Sequence, residues 1–218
     1  MSKLKIATTS FLLISLAGIV WTINFVMKDL VRSTQIEYFL SDLTTEHGSK
    51  NLMLGSSSIR NLNQNIFLQC GSWLNRGIGN STVSDLSTYL KFSPLSINPP
   101  HILLYAGEND ISKGMSTSET VNTYKDLIAY LVKEYPNSNI HIVAIKPSPA
   151  RRSFWTAFTA VNDKLEDLSK ELNSVYFHSH PEGNSGFGNA SFVADGIHLA
   201  DEGYIMFTSG INKACQTN

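Results

Sequence analysis

The chain has 218 residues, enough for one domain with an appendage. Hydrophobic residues make up 42% of it and charged residues 16%, ordinary values for a globular protein with a core. The formal net charge of −1, with the basic residues scattered, excludes the cationic surface that nucleic-acid binding requires.

The first segment stands apart. Lys3 and Lys5 precede an uncharged run of 22 residues from Ile6 to Met27. At about 1.5 Å per residue, such a run crosses the ~30 Å hydrocarbon core of a bilayer. Three readings are open. A signal peptide would be cleaved near the small-x-small site Ser15-Leu16-Ala17, an uncleaved anchor would use the whole run, and a buried helix would belong to a soluble domain. The run length favours the anchor, because a signal peptide needs only about 7–15 apolar residues. Either of the first two places the remainder in the periplasm or outside the cell, anchored or secreted. The expected organisation is an anchor or signal segment over 1–29, a linking helix and turn over 30–49, and the main domain over 50–218.

Leu30, Ile36, Phe39, Leu40 and Leu43 suggest one apolar stripe on the linking helix. From Asn51 onward, short apolar runs alternate with amphipathic stretches. Strands are expected at Asn51–Leu54, Trp73–Arg76, His101–Tyr105, Ile140–Ile145 and Val175–Phe177. Helices are expected at Val83–Leu90, Ser118–Tyr135, Ser153–Leu172 and Glu202–Lys213, the first capped by Ser81 or Thr82. The alternation implies a parallel sheet covered by helices on both faces, with ligands beyond the C-terminal ends of its strands.

Four segments carry chemistry. Asp195-Gly196-Ile197-His198 places a carboxylate three residues before an imidazole, a spacing that holds a histidine by Nδ1–H and leaves Nε2 free to take a proton. Gly55-Ser56-Ser57-Ser58 offers a serine hydroxyl after the first strand. Asn75-Arg76-Gly77-Ile78-Gly79-Asn80 offers a tight glycine turn after the second. Gly107-Glu108-Asn109-Asp110 offers a side-chain amide after the third. The Lys146-Pro147-Ser148-Pro149-Ala150-Arg151 segment borders the same edge, where Arg151 serves either as a substrate contact or as a solvated residue on a stiff connection.

In order and spacing, these four blocks resemble the SGNH (GDSL-type) serine esterases, or acylhydrolases, over roughly Lys50 to the C-terminus. The resemblance implies a three-layer α/β/α sandwich with a central parallel sheet (SGNH-hydrolase or flavodoxin-like), here behind an N-terminal hydrophobic helix. It implies ester hydrolysis through an acyl-serine intermediate, without metal or cofactor. The family has Gly-Asp-Ser where this chain has Gly55-Ser56-Ser57, which makes Ser57 the nucleophile, with Ser58 next. His198 then acts as general base and Asp195 orients it. The oxyanion hole would take Asn109, the Ser57 N–H and the N–H of Asn80, which replaces the family's glycine, with Gly79 as the alternative donor. Asparagine tolerates the left-handed conformation better than most residues. The substrate expected is a small-molecule or glycan-borne ester with a short acyl group such as O-acetyl. Two alternatives remain, an acyltransferase acting on envelope glycans and an idle binding domain. Phe187 and Phe192 are candidate pocket walls, and His178 and His180 lack a third metal ligand. Cys70 and Cys215 could pair outside the cytoplasm, but two unpaired thiols are the favoured expectation.

Overall fold

The computed structural model describes Gly18, residues 30–181 and residues 186–216. The Ile6–Met27 run, and with it the expected hydrophobic helix, lies outside the described residues apart from Gly18. Among the described residues no helix is long and apolar enough to cross a membrane.

The elements follow in order: helix α1 (30–44), β1 (Asn51–Gly55), the one-turn helices α2 (Ser57–Arg60) and α3 (Gln64–Phe67), β2 (Trp73–Gly77), α4 (Val83–Phe92), β3 (His101–Tyr105), α5 (Glu108–Ser112), α6 (Thr117–Glu134), β4 (Asn139–Val143), α7 (Trp155–Lys170), β5 (Val175–His178) and α8 (Asp201–Gln216). A 3₁₀ segment, Pro149–Phe154, leads into α7. The five strands are all parallel in the order β2-β1-β3-β4-β5. That is the flavodoxin-like order, with its topological switch at β1/β3.

Alternate residues of each strand feed opposite faces. Leu52, Leu54, Ile102, Leu104, Ile140 and Ile142 pack with residues of α4, α6 and α7 in one cluster. Met53, Leu103, Tyr105 and Val143 pack with Phe207 and Ile211 of α8 in the other. Both clusters are buried, so the sheet is the middle of three layers. The expected strands and long helices are all present, with ends that differ by a few residues.

One helix face was not legible, and one expectation needs correction. The apolar stripe of α1 faces outward, with Ile36, Leu40 and Leu43 each more than half exposed. The helix packs through a largely polar face instead. Asp42 is buried and accepts from Arg76 Nη2 (2.5 Å), Tyr89 OH (2.6 Å) and Ser93 Oγ (2.7 Å), while His47 Nε2 lies 3.0 Å away. Gln35 donates to the Asp85 carbonyl and Tyr38 to that of Gly77. The helix is thus fixed alongside α4 and the β2 edge by hydrogen bonds that an apolar periodicity cannot reveal. Against the expectation of unpaired thiols, Cys70 and Cys215 form a disulfide with Cα atoms 5.6 Å apart. Their separation in sequence hid the pairing, which follows once α8 packs beside the segment after α3.

Candidate active site

The turn after β1 is very tight. A Cβ on Gly55 would stand 2.2 Å from the Tyr105 carbonyl oxygen, so only glycine lets β1 and β3 meet there. Ser56 follows, its N–H bonded to that same carbonyl, and the chain turns at once into α2. Ser56 and Ser58 are buried, at 3% and 1% exposure. Ser57, between them, opens into a cavity of about 320 Å³. Its Oγ sits 3.0 Å from His198 Nε2. Of the three consecutive serines, only Ser57 meets the imidazole.

His198 Nδ1–H donates to Asp195 Oδ2 at 2.6 Å. The other carboxylate oxygen of Asp195 accepts the backbone N–H groups of Ile197 (2.8 Å) and His198 (2.9 Å). Burial works to raise the Asp195 carboxyl, but these three hydrogen bonds outweigh it and hold the group down at about 2. Gly196 makes the loop possible with φ +63°, a left-handed conformation that glycine adopts freely. Serine hydroxyl, imidazole and carboxylate therefore form one connected line across 141 residues of chain.

Asn80 takes φ 61°, as its tolerance of that region suggests, and Gly79 and Asn80 both line the cavity. A Cβ on Gly79 would meet the Arg60 guanidinium at 2.2 Å, so this glycine leaves room for the arginine. Asn109, in α5, lines the cavity from the β3 side. Its Nδ2 donates to the Ser81 carbonyl at 2.9 Å, and its Oδ1 accepts from Arg151 Nη2 at 3.0 Å. Asp110, the next residue, is fully buried and accepts the Val83 N–H at 3.0 Å, capping α4 with a carboxylate. Its pKa is raised by burial. The structure thus brings Ser57, Asn80, Asn109, Asp195, His198 and Arg151 together around one cavity, with Gly79 beside Asn80.

A buried ion pair beneath the site was not legible as such. Glu108 receives hydrogen bonds from Lys146 Nζ, from Ser148 Oγ at 2.5 Å and from Tyr105 OH at 2.9 Å. Burial raises the Glu108 carboxyl, yet Lys146 and Arg151 more than offset this and it ends below its ordinary value. A glutamate and a lysine, each three residues beyond the end of an apolar strand, were the available signal.

Other candidates lie elsewhere. Phe192 is a core residue against α8. Phe187 lines a separate cavity of about 340 Å³ with Trp155, Phe158 and His180, across the Pro147–Trp155 connection from Ser57. That cavity is slightly larger, but it holds neither Ser57 nor His198. His178 bonds to His141 at 2.9 Å and His180 to the Ala144 carbonyl. Among the described residues no group of three or more His, Cys, Asp and Glu is placed to hold a metal ion.

A parallel flavodoxin-like sheet with a serine, an imidazole and a carboxylate aligned at its C-terminal edge defines the class of α/β serine hydrolases. Residues 60–205 match the model of the GDSL-like lipase/acylhydrolase family, and the chain belongs to that family. It is an ester hydrolase of the SGNH/GDSL type. The match begins just beyond Ser57. No curated protein matches the sequence. Several solved structures share the fold. A protein from Streptococcus pneumonia, provisionally described as a platelet activating factor, has a TM-score of 0.79 at 20% identity, covering 91% of this chain and 99% of its own. A family 3 carbohydrate esterase from Clostridium thermocellum has a TM-score of 0.57 at 17% identity, covering 77% and 98%. A catalytic mutant of an acetylxylan esterase from Geobacillus stearothermophilus has a TM-score of 0.58 at 13% identity, covering 78% and 96%.

Proposed function

We propose that the protein hydrolyses short-chain acyl esters, O-acetyl groups on glycans foremost, through an acyl-Ser57 intermediate. The observation that carries this is the contact of Ser57 Oγ with His198 Nε2 at 3.0 Å, backed by Asp195. As the hydroxyl attacks the ester carbonyl, its proton passes to Nε2, and Asp195 stabilises the imidazolium that forms. The tetrahedral oxyanion is met by the Asn109 amide and by the N–H groups of Ser57 and Asn80. One such donor contributes about 10²–10³ in rate. Collapse breaks the bond to the alcohol oxygen, which takes the proton from His198. Water then attacks the acyl-serine with the same base, releasing the acid and restoring Ser57.

Two things support a small acyl group. Among the described residues that line the cavity, Leu30 and Ile197 are the only aliphatic side chains, too few to sheathe a long chain. Two fold neighbours are described as a carbohydrate esterase and an acetylxylan esterase. The protein works outside the cytoplasm in this proposal, held by residues 1–29 as a membrane anchor or released if they are cleaved. The Cys70–Cys215 disulfide suits an oxidising compartment.

The test is Ser57→Ala against an O-acetylated sugar and a short-chain aryl ester. Turnover should vanish while the circular dichroism spectrum and unfolding midpoint stay unchanged. A folded variant with full activity would overturn the proposal, and a wild type that transfers its acyl group only to an added glycan would make it a transferase.

A further inference from the structure

The Lys146–Arg151 segment is built more elaborately than a surface connection requires. Lys146 and Ser148 are fully buried, and both reach Glu108. Arg151 adds an ion pair, Nη1 standing 3.4 Å from Glu108 Oε1, while its Nη2 donates to Asn109 Oδ1 at 3.0 Å. Glu108 and Asn109 are adjacent in α5, so a single guanidinium grips both residues. On the other side, the Ala150 N–H donates to the Gly196 carbonyl at 3.1 Å, inside the Asp195–His198 loop. The segment therefore touches the amide on one flank of the cavity and the imidazole loop on the other.

A carboxamide can rotate by half a turn and exchange its oxygen for its nitrogen at little intrinsic cost. Only a fixed oxygen guarantees that nitrogen faces the reacting carbonyl. Arginine has donors and no acceptor, so it can bind the amide oxygen but not the amide nitrogen. With Oδ1 held by Arg151 and one Nδ2 hydrogen held by the Ser81 carbonyl at 2.9 Å, the second Nδ2 hydrogen is left for the cavity. We infer that Arg151 is a positioning residue that fixes the Asn109 amide as oxyanion donor, and does not bind the substrate. This rests on the proposed role of Asn109 in the same site and assigns the Lys146–Arg151 segment its purpose.

The test is a double-mutant cycle on the full-length protein with a short-chain aryl ester, reading kcat and KM separately. Arg151→Met removes the fork and keeps the aliphatic stem. Glu108 retains Lys146, Ser148 and Tyr105, so no bare carboxylate is left behind. Arg151→Met should lower kcat about 10–100-fold, with KM within about twofold, and Arg151→Lys should restore little, since a point charge cannot bridge both partners. Asn109→Ala should cost about 10²–10³. In the Asn109→Ala background, Arg151→Met should cost less than about threefold. A rise in KM with kcat preserved, or an equal loss in both backgrounds, would overturn the inference and make Arg151 a substrate contact or an independent contributor. Should Arg151→Met fail to fold, the Lys variant alone decides, because wild-type kcat there would equally overturn it. Full turnover by Ser57→Ala would instead remove the parent proposal, so the two failures are told apart.

Discussion

Ser57 differs from its neighbours in where the turn leaves it. Ser56 gives its N–H to closing the β1–β3 edge and Ser58 is buried, so contact with the imidazole singles out Ser57. The sequence supplied four blocks in order, and their residue types with the family resemblance pointed to Ser57, Asn109, Asp195 and His198 as candidates. It could not separate three identical side chains except by alignment to a family pattern. Nor could it show that Glu108 and Lys146 meet, because that pairing depends on β3 and β4 being neighbours. Asp195→Asn should be a clean probe of orientation. The amide oxygen still accepts the Ile197 and His198 N–H groups, so the loop persists, but the imidazole no longer faces an anion. We expect kcat to fall by about 10³–10⁴ with little change in KM, measured by steady-state ester hydrolysis. Because the carboxyl is held at about 2, Asp195 itself stays ionised through mildly acidic pH and contributes no step to the pH–rate profile there.

At the scale of elements, periodicity revealed the strands and amphipathic helices because burial of alternate or every third-to-fourth side chain leaves a local trace. Helix α1 shows where that logic fails. Its inward face is Val31, Gln35, Tyr38 and Asp42, and its fit depends on Arg76, Tyr89 and Ser93 arriving from β2 and α4. Burial tends to raise the Asp42 carboxyl, but the hydrogen bonds from Arg76, Tyr89 and Ser93 bring it below its ordinary value. Asp42→Ala would leave Arg76 buried without its carboxylate, a loss of about 3–5 kcal/mol. Urea unfolding should show an unfolding free energy lower by that amount. A change below about 1 kcal/mol would mean that α1 merely rests on the domain.

Across the whole molecule, two features bind distant parts of the chain. The Cys70–Cys215 disulfide closes a loop with a sequence separation of 145, and Cys70→Ser with Cys215→Ser should destabilise by about 2–5 kcal/mol, read by thermal unfolding. The second is a ladder of imidazoles across β3, β4 and β5. His101 Nδ1 lies 3.0 Å from His141 Nε2, and His141 Nδ1 lies 2.9 Å from His178 Nε2. Burial, aided by the neighbouring rings, pulls His141 down to about 3, and burial pulls His178 down to about 4. The unfolded chain binds these protons near its ordinary value of about 6.5 while the folded one does not. Stability from the ladder is therefore complete above about pH 6.5 and is lost progressively as pH falls toward 4, by up to about 1.4 kcal/mol per proton per pH unit. Unfolding midpoints between pH 7.5 and 4.5 should fall accordingly, and less steeply in His141→Leu.

The fixed seat of α1 also sets a distance. Leu30, at its start, forms part of the cavity wall beside Ser57. Met27, the last residue of the apolar run, is only three steps earlier, a reach of at most about 11 Å. Were the run the membrane anchor proposed above, it would hold the mouth of the cavity within that short leash. An enzyme anchored in that way would sample a thin layer of its surroundings, and its turnover would follow the density of esters on that surface rather than their concentration in the bulk.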